Sequence, residues 1–163
     1  MDREIKFRGK STENSDWTYG DLVRPLCLPG LLPEIFSYIQ EEEGVMGSYQ
    51  TPVIPDTIGQ YIGIKDKNGV EIYEGDILRS DQYPFSDTED GVYDNYLVEV
   101  CWSKESCCFF GYTFKHPNSK VWGLSEGDTV ECDTFMDRGL YVIGNIHDNP
   151  ELTKKEEKKE ETK

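Results

Sequence analysis

Short stretches rich in apolar residues recur along this chain, separated by turn-forming residues at intervals of roughly eight to twelve residues. Trp17–Val23, Tyr96–Trp102, Cys108–Phe114 and Leu140–Ile146 are examples, and they contain many of the aromatic and β-branched residues that strands favour. This pattern predicts a mainly β protein built from antiparallel hairpins. We expect the hairpins to form a small, partly open, SH3-like barrel with extensions.

Residues 33–43 are ambiguous between helix and strand. Pro33 suits the first position of a helix, an apolar stripe follows it, and Gly44 would be a stop signal. Against a helix, the three glutamates at 41–43 would lie at the negative end of its dipole, and the apolar residues are β-branched or aromatic. We favour a strand for this segment.

The clearest local signal is Gly59–Leu78, where two apolar stretches flank Asp66-Lys67-Asn68-Gly69. Asn-Gly between strand-like runs predicts a hairpin because both residues tolerate a positive φ. We expect the Asp66 carboxylate to accept hydrogen bonds from amides of this turn. A second tight turn is predicted at Gly75 and Asp76, before the next strand. The residues that we interpret as a structural motif are Asp66, Asn68, Gly69, Gly75 and Asp76.

Two strongly charged segments lie outside the predicted strands. Residues 81–95 should form a long acidic loop. Asn149 suits a helix N-cap, which predicts a short helical tail over residues 151–163, although Leu152 is its only apolar anchor. The β-rich domain is therefore expected to span residues 1–150, as one unit or as two lobes near 1–55 and 56–150.

The net charge of the chain is −15, and the tail contributes nothing to it because its five Glu balance its five Lys. A negative body is repelled by phosphate backbones and anionic lipid. We therefore expect a protein partner, with self-association left open, and neither direct nucleic-acid binding nor membrane binding. Five cysteines without a signal peptide at the N-terminus predict reduced thiols in a cytoplasm.

Two segments, GQYIGIKDKNGVEIYEGDIL (Gly59–Leu78) and YVIGNIHDNPEL (Tyr141–Leu152), resemble the signature stretches of the YopX family. This is a family of small proteins encoded by bacteriophages and prophages. The segments EIKFRG (Glu4–Gly9) and WTYGDL (Trp17–Leu22) lie where that family carries similar residues. The resemblance implies a mostly β protein in a bacterial host cell, but it implies no reaction and no catalytic residues.

Five potential metal ligands follow the spacing C-x5-CC-x7-H-x15-C, namely Cys101, Cys107, Cys108, His116 and Cys132. Structural zinc sites usually present their ligands in pairs two to four residues apart, and none of these pairs has that spacing. We interpret the cysteines as small buried hydrophobic residues. No metal or cofactor is expected.

Several carboxylates and one histidine could serve in acid–base chemistry. Glu74 and Asp76 flank a glycine, and His147 precedes Asp148, but adjacent residues on a strand point to opposite faces. Turn and capping roles fit these residues better. Since neither a nucleophile elbow nor a phosphate-binding loop occurs, the sequence nominates no catalytic residue.

The acidic loop supplies the candidate interaction surface, Asp87, Glu89, Asp90 and Asp94. The leading hypothesis is a non-enzymatic phage or prophage accessory protein that acts through protein contacts. One alternative is an acidic mimic of nucleic acid that occupies the basic cleft of a host DNA-binding protein. The other is a small phage enzyme whose site carries no recognisable motif.

Overall fold

A computed structural model describes residues 4–24, 30–40, 46–80, 97–115, 127–135 and 139–153, which together form eleven β-strands. The strands are β1 (Phe7–Lys10), β2 (Trp17–Val23), β3 (Glu34–Gln40), β4 (Met46–Pro52), β5 (Gly59–Lys65), β6 (Glu71–Tyr73), β7 (Asp76–Ser80), β8 (Leu97–Ser103), β9 (Cys108–Lys115), β10 (Thr129–Glu131) and β11 (Leu140–Asn145). Short 3-10 turns lie at Pro55–Thr57 and Cys132–Thr134. Within these ranges no helix is long and apolar enough to cross a membrane.

The first sheet contains six antiparallel strands in the order β4-β3-β2-β1-β5-β6. Strand β1 lies inside this sheet, with Arg8 opposite Tyr19 of β2 and Gly59 of β5. Strand β3 confirms the strand interpretation for the described part of the segment 33–43, since it pairs with both β2 and β4; residues 41–43 lie outside the described ranges. Ile35 of β3 is fully buried, and β-branched residues such as isoleucine suit a buried sheet face.

The second sheet contains five antiparallel strands in the order β10-β9-β8-β7-β11. Only Glu74 and Gly75 separate the last strand of the first sheet from β7 of the second. The Gly75 amide donates to the Val100 carbonyl at 2.8 Å, and its own carbonyl accepts from the Ile146 amide at 2.9 Å. The predicted second turn is therefore the point where the chain passes from one sheet to the other.

The main hydrophobic core joins the two sheets. Its buried members are Ile72, Leu78, Val98, Val100, Val130, Phe135 and Leu140. Ile72 belongs to the first sheet, and Ile62 and Ile64 of that sheet pack against the same cluster. Burying each large aliphatic side chain stabilises the fold by about 1.5–3 kcal/mol, so this shared cluster fixes the first sheet against the second.

The mainly β, antiparallel character of the prediction is confirmed, whereas the SH3-like barrel is not. A barrel requires one sheet to close on itself, but the described strands form two sheets without closure. Strand β6 has three residues, and its pairing with β5 shifts register between Tyr61 and Lys65. The β5–β6 ladder ends at the second turn, and β7 belongs to the other sheet.

Some expectations fall outside the part of the chain that the structure describes. They include the acidic loop and most of the helical tail, of which only Glu151–Thr153 is described, as a turn. The domain limits, including a division into lobes near residue 55, stay predictions.

Candidate functional site

The hairpin turn at Asp66–Gly69 forms hydrogen bonds with the last strand, β11, as well as within its own backbone. The Gly69 amide donates to the Asp66 carbonyl at 2.9 Å, and Gly69 has the predicted positive φ of 82°. Oδ1 of Asp66 accepts from the Asn68 and Val70 amides, and Oδ2 accepts from the Val142 amide at 3.0 Å. The predicted turn is confirmed, and its buried aspartate also connects the two segments that carry the family resemblance.

The second turn contains a buried ion pair. Nη2 of Arg8 lies 2.6 Å from Oδ1 of Asp76, and the two side chains are 7% and 1% exposed. Oδ2 of Asp76 accepts a hydrogen bond from the Tyr73 amide at 2.7 Å. Neither Oδ1 of Asp76 nor Nε of Arg8 has a well-aligned hydrogen bond among the described residues. The pair is therefore held mainly by the attraction between its opposite charges. Burial raises the pKa of Asp76 to about 6, against the opposing effect of the Arg8 charge.

Aromatic rings enclose the Arg8 guanidinium. Its central carbon lies 4.6 Å from the centre of the Trp17 ring and 5.0 Å from that of Tyr73. Tyr19 and Tyr61 pack against Tyr73 with ring centres 5.6 Å away. The guanidinium is therefore stabilised by ring faces as well as by a carboxylate.

The segment after β11 forms a hydrogen-bonded turn next to this cluster. Oδ2 of Asp148 accepts from the Trp17 indole at 2.6 Å and from the Asn145 amide group at 2.8 Å, and Lys10 donates to Oδ1. Burial alone would raise the pKa of Asp148, but these three hydrogen bonds outweigh it and lower the pKa to about 2. The turn role predicted for Asp148 is confirmed, since the Asp148 amide and the His147 amide both donate to Oδ1 of Asn145 at 2.9 Å.

A cleft of about 260 Å³ lies beside the second turn, where the chain passes from one sheet to the other. Ile77 pairs with Glu99 and the Gly75 amide reaches Val100, so β8 continues past the start of β7 at Cys101 and Trp102. The cleft occupies the space beside this extension. Its walls are formed by Asp56, Ile58, Glu74, Gly75, Glu99, Val100, Cys101, Trp102, Ile146 and His147.

Carboxylates give the cleft its electrostatic character. Burial raises the pKa of both Glu74 and Glu99, because a partly buried carboxyl loses solvation of its charged form. His147 is the only basic residue in the described lining. Its pKa is lowered by burial and by the charges of Arg8 and Lys10, which favours the neutral imidazole. The described lining therefore contains three carboxyl groups, those of Asp56, Glu74 and Glu99, and no lysine or arginine.

Two further side chains of the cleft define its chemistry. The Sγ of Cys101 donates to the Glu99 backbone carbonyl at 3.8 Å, and burial together with the Glu99 charge raises the pKa of this thiol to about 12. Trp102 is 41% exposed and packs edge-on against Phe109, with ring centres 4.9 Å apart. The thiol of the cleft therefore stays protonated and is a poor nucleophile.

The cysteines do not gather as metal ligands. Among the described residues, no group of three His, Cys, Asp or Glu side chains could hold a metal ion, and His116 lies outside the described ranges. Cys107 and Cys108 are exposed, whereas Cys101 and Cys132 are half-buried. The interpretation of the cysteines as buried hydrophobic residues is therefore wrong for Cys107 and Cys108, which lie at the β8–β9 turn where no second layer covers them.

Sequence reasoning located the two turns but not the cleft. The acidic loop residues Asp87, Glu89, Asp90 and Asp94 all lie outside the described part of the chain. For Glu74 the sequence offered an acid–base role beside Asp76 and favoured a turn role, but it indicated no cleft. Glu99 was the one residue whose sequence context could have indicated the cleft, since a glutamate between Val98 and Val100 interrupts an otherwise apolar strand. The partners that Asp76 and Asp148 have on β1 and β2, namely Arg8, Lys10 and Trp17, are far away in sequence, and no local pattern identifies them.

Fold and site together define a class of antiparallel β protein in which two sheets meet at a tight turn beside an acidic cleft. The family model described as YopX protein matches residues 6–154, and the chain belongs to the YopX family. It is also similar to a solved structure, the crystal structure of protein EF1440 from Enterococcus faecalis. The identity is 23% and the TM-score 0.54, over 94% of this chain and 100% of that one. At this identity the likeness concerns the fold. No curated protein sequence matches the chain.

Proposed function

We propose that this chain is a non-enzymatic phage or prophage accessory protein that binds a basic protein through the acidic cleft. The observation that carries the proposal is the cleft itself, whose described lining contains the carboxyl groups of Asp56, Glu74 and Glu99. Family membership supports the phage context, since the resemblance implies phage or prophage proteins. The site of action would be the cytoplasm of the bacterial host.

The chemistry of the cleft favours binding over catalysis. Cys101 is the only thiol in its described lining, and a pKa of about 12 leaves almost no thiolate at neutral pH. The lowered pKa of His147 favours its neutral form, but no hydroxyl or amine nucleophile accompanies it in the described lining. A binding role requires only shape, charge and an apolar contact, all of which the cleft provides.

Charge also indicates the kind of partner. A net charge of −15 attracts basic proteins over long distances and accelerates their association. The same charge opposes self-association through this face, because two acidic clefts repel each other. A basic protein of the host or of the phage therefore fits best, and duplex DNA should not bind.

The test is affinity capture from host lysate with wild-type protein and with the Glu74→Gln, Glu99→Gln double variant. Gln keeps the shape of Glu and removes its charge, so the fold should be retained. The matched control, Glu105→Gln with Glu131→Gln, removes two exposed carboxylates that do not line the cleft. A captured protein should be identified by mass spectrometry, purified and titrated by calorimetry.

We expect the double cleft variant to bind the purified partner at least about tenfold more weakly, since hydrogen bonds to charged groups contribute roughly 1.5–3 kcal/mol each. The control variant should bind as wild type does, and added salt should weaken binding of the wild type. Equal binding by wild type and the cleft variant would exclude the cleft as the binding face.

A further inference from the structure

Strand β4 forms one edge of the first sheet. We propose that it pairs with β4 of a second copy of this chain, antiparallel and about a twofold axis at Ser48, so that the two first sheets become one continuous sheet. The inference goes beyond the proposed function and does not depend on it, since none of the residues of β4 lines the acidic cleft.

The other edges of the two described sheets are protected against such pairing. Strands β6 and β10 have only three residues each, and the β5–β6 pairing shifts register. Strand β11 has a register shift between Val142 and Gly144, and the Val142 amide already donates to Asp66. Short strands, bulges and covered amides are means by which proteins prevent the edges of their sheets from pairing with other chains.

Strand β4 has none of these protections along most of its length. It has seven residues, pairs with β3 in continuous register from end to end, and contains no charged side chain. Ser48, Tyr49 and Gln50 are exposed, and no other strand of the described ranges pairs with its outer side. A long, regular and uncharged edge is a template for another strand.

Backbone hydrogen bonds at the end of β4 show which of its amides face outward. The Val53 amide donates to the Pro33 carbonyl, on the β3 side, at 2.9 Å. The Pro52 carbonyl accepts from the Thr12 amide, on the opposite side, at 3.0 Å. Because backbone groups alternate in direction along an antiparallel strand, every second residue before Pro52 turns its amide and carbonyl outward. These residues are Met46, Ser48 and Gln50.

This outward pattern is complementary to itself. When Ser48 lies opposite Ser48 of the second copy, Met46 lies opposite Gln50, and the facing residues exchange about six hydrogen bonds. The same register places Tyr49, which is 51% exposed, opposite Gly47 of the second copy. An aromatic ring there covers the backbone that glycine leaves bare, and the twofold axis repeats the contact.

Charge restricts the region through which two copies can meet. Each chain has a net charge of −15, so two copies repel each other, and like charges directly opposite on paired strands destabilise the pairing. The uncharged β4 strand lets the backbones approach without such pairs. Salt should therefore strengthen this dimer by screening the repulsion, whereas it should weaken the binding of a basic protein through the cleft.

Sedimentation velocity of the full chain from about 5 µM to about 500 µM tests the dimer, since one strand from each copy buries less than the roughly 1,200–2,000 Å² of stable interfaces and should associate weakly. Ser48→Lys places two ammonium groups opposite each other at the axis. The control is Ser106→Lys, which changes the net charge equally at an exposed position of the β8–β9 turn. We expect Ser48→Lys to raise the dimer dissociation constant at least about tenfold, and the control to dimerise as wild type does.

A disulfide tests the register, in a background where the exposed Cys107 and Cys108 are replaced by Ser. Ser48→Cys brings two cysteines to a Cα separation of about 5.5 Å, which a disulfide spans. Gln50→Cys is the control, because its two copies would be about 13 Å apart along the paired strands. With oxidised glutathione we expect a covalent dimer from Ser48→Cys well above the level from Gln50→Cys, measured on a non-reducing gel.

Wild-type protein that stays monomeric at about 500 µM would overturn the inference. A dimer that Ser48→Lys leaves intact, or that added salt dissociates, would overturn it too. Equal crosslinking by the two cysteine variants would reject the twofold register and the inference with it. If Ser48→Lys fails to fold, as judged by circular dichroism, the crosslinking comparison decides alone.

Discussion

Oδ2 of Asp66, in the β5–β6 turn, accepts a hydrogen bond from the Val142 amide of β11 across 76 positions of sequence. Both segments that carry the family resemblance are thereby joined by one carboxylate. Because Asp66 is 3% exposed, no water can easily replace it as the acceptor. This residue therefore stabilises the packing of the two sheets as well as the hairpin turn.

Replacing Asp66 with Ala should lower the free energy of unfolding by about 3 kcal/mol, since it leaves buried amides without an acceptor. Urea denaturation measures the loss. Asn68→Ala is the control, because the Asn68 side chain is exposed and only its backbone amide donates to Asp66. Similar unfolding midpoints for the two variants would contradict the proposed link to β11.

Removing Asp76 and removing Arg8 from the buried ion pair should lower the stability of the fold by different amounts. Asp76→Asn leaves a guanidinium that cannot deprotonate, so we expect a loss of about 3–5 kcal/mol, the usual cost of breaking a buried pair. Arg8→Met leaves a carboxyl that can become neutral by taking up a proton. At pH 5 the Met variant should therefore be the more stable of the two.

The pH dependence of the Arg8→Met variant has a definite sign. The pKa of Asp76 is about 6 in the wild type and should rise further without the guanidinium. A carboxyl whose folded pKa is raised contributes stability below its unfolded pKa, and this is lost as the pH rises through the folded value. The gap between variant and wild type should widen above pH 6, by at most about 1.4 kcal/mol per pH unit. A constant gap from pH 5 to pH 8 would contradict this account.

Asp148 should show the opposite dependence on pH. Its pKa is lowered to about 2, so its contribution is present above the unfolded value of 3.8 and is lost as the pH falls toward 2. Asp148→Asn should therefore destabilise the protein at pH 6, and the difference should vanish near pH 2. Urea midpoints at both pH values measure this, with Asp133→Asn, an exposed carboxylate elsewhere, expected to show no difference at either pH.

Thiol reactivity should separate the described cysteines into two groups. Cys107 and Cys108 are exposed and should be alkylated rapidly by iodoacetamide at pH 8. Burial raises the pKa of Cys101 and Cys132 to about 12, so their thiolate fraction is on the order of a thousandfold smaller than that of an ordinary cysteine. Peptide mass spectrometry over a time course measures the rate at which each of the four cysteines is alkylated. Fast alkylation of Cys101 in folded protein would remove the argument against a nucleophilic role.

The sequence predicted features that depend on neighbouring residues. Asn68-Gly69 determined the hairpin, because a positive φ at this position follows from local backbone chemistry. The β3 strand was also predictable, since β-branched and aromatic side chains suit a sheet face. The division of the strands into two sheets was not predictable. It requires β7 to pair with β8 and β11 instead of with β6, and this depends on contacts between distant segments.

The same distinction explains why the candidate site was missed. The cleft exists because β8 extends past the start of β7, a matter of register that no single segment encodes. Charge composition directed attention to residues 81–95, a segment with five acidic residues and no lysine or arginine. Glu74 and Glu99 are 25 positions apart, and only the fold brings them to one surface.

The last prediction separates binding through the cleft from mimicry of nucleic acid by the acidic loop. Reversing Asp87, Glu89, Asp90 and Asp94 to Lys changes the net charge from −15 to −7, since each reversal adds two units. If the cleft binds the partner, the lower overall charge should slow association but leave the dissociation rate unchanged, because long-range steering acts mainly on association.

Under the same proposal, Glu74→Gln with Glu99→Gln should chiefly accelerate dissociation, since it removes contacts made in the complex. Mimicry by the loop predicts the reverse, with capture abolished by the loop reversal and retained in the cleft variant. Biolayer interferometry of both variants against one purified partner, after their melting temperatures are shown to match wild type, resolves the two rates. A loop-reversed protein that releases its partner faster than the cleft variant does would assign the binding face to the loop.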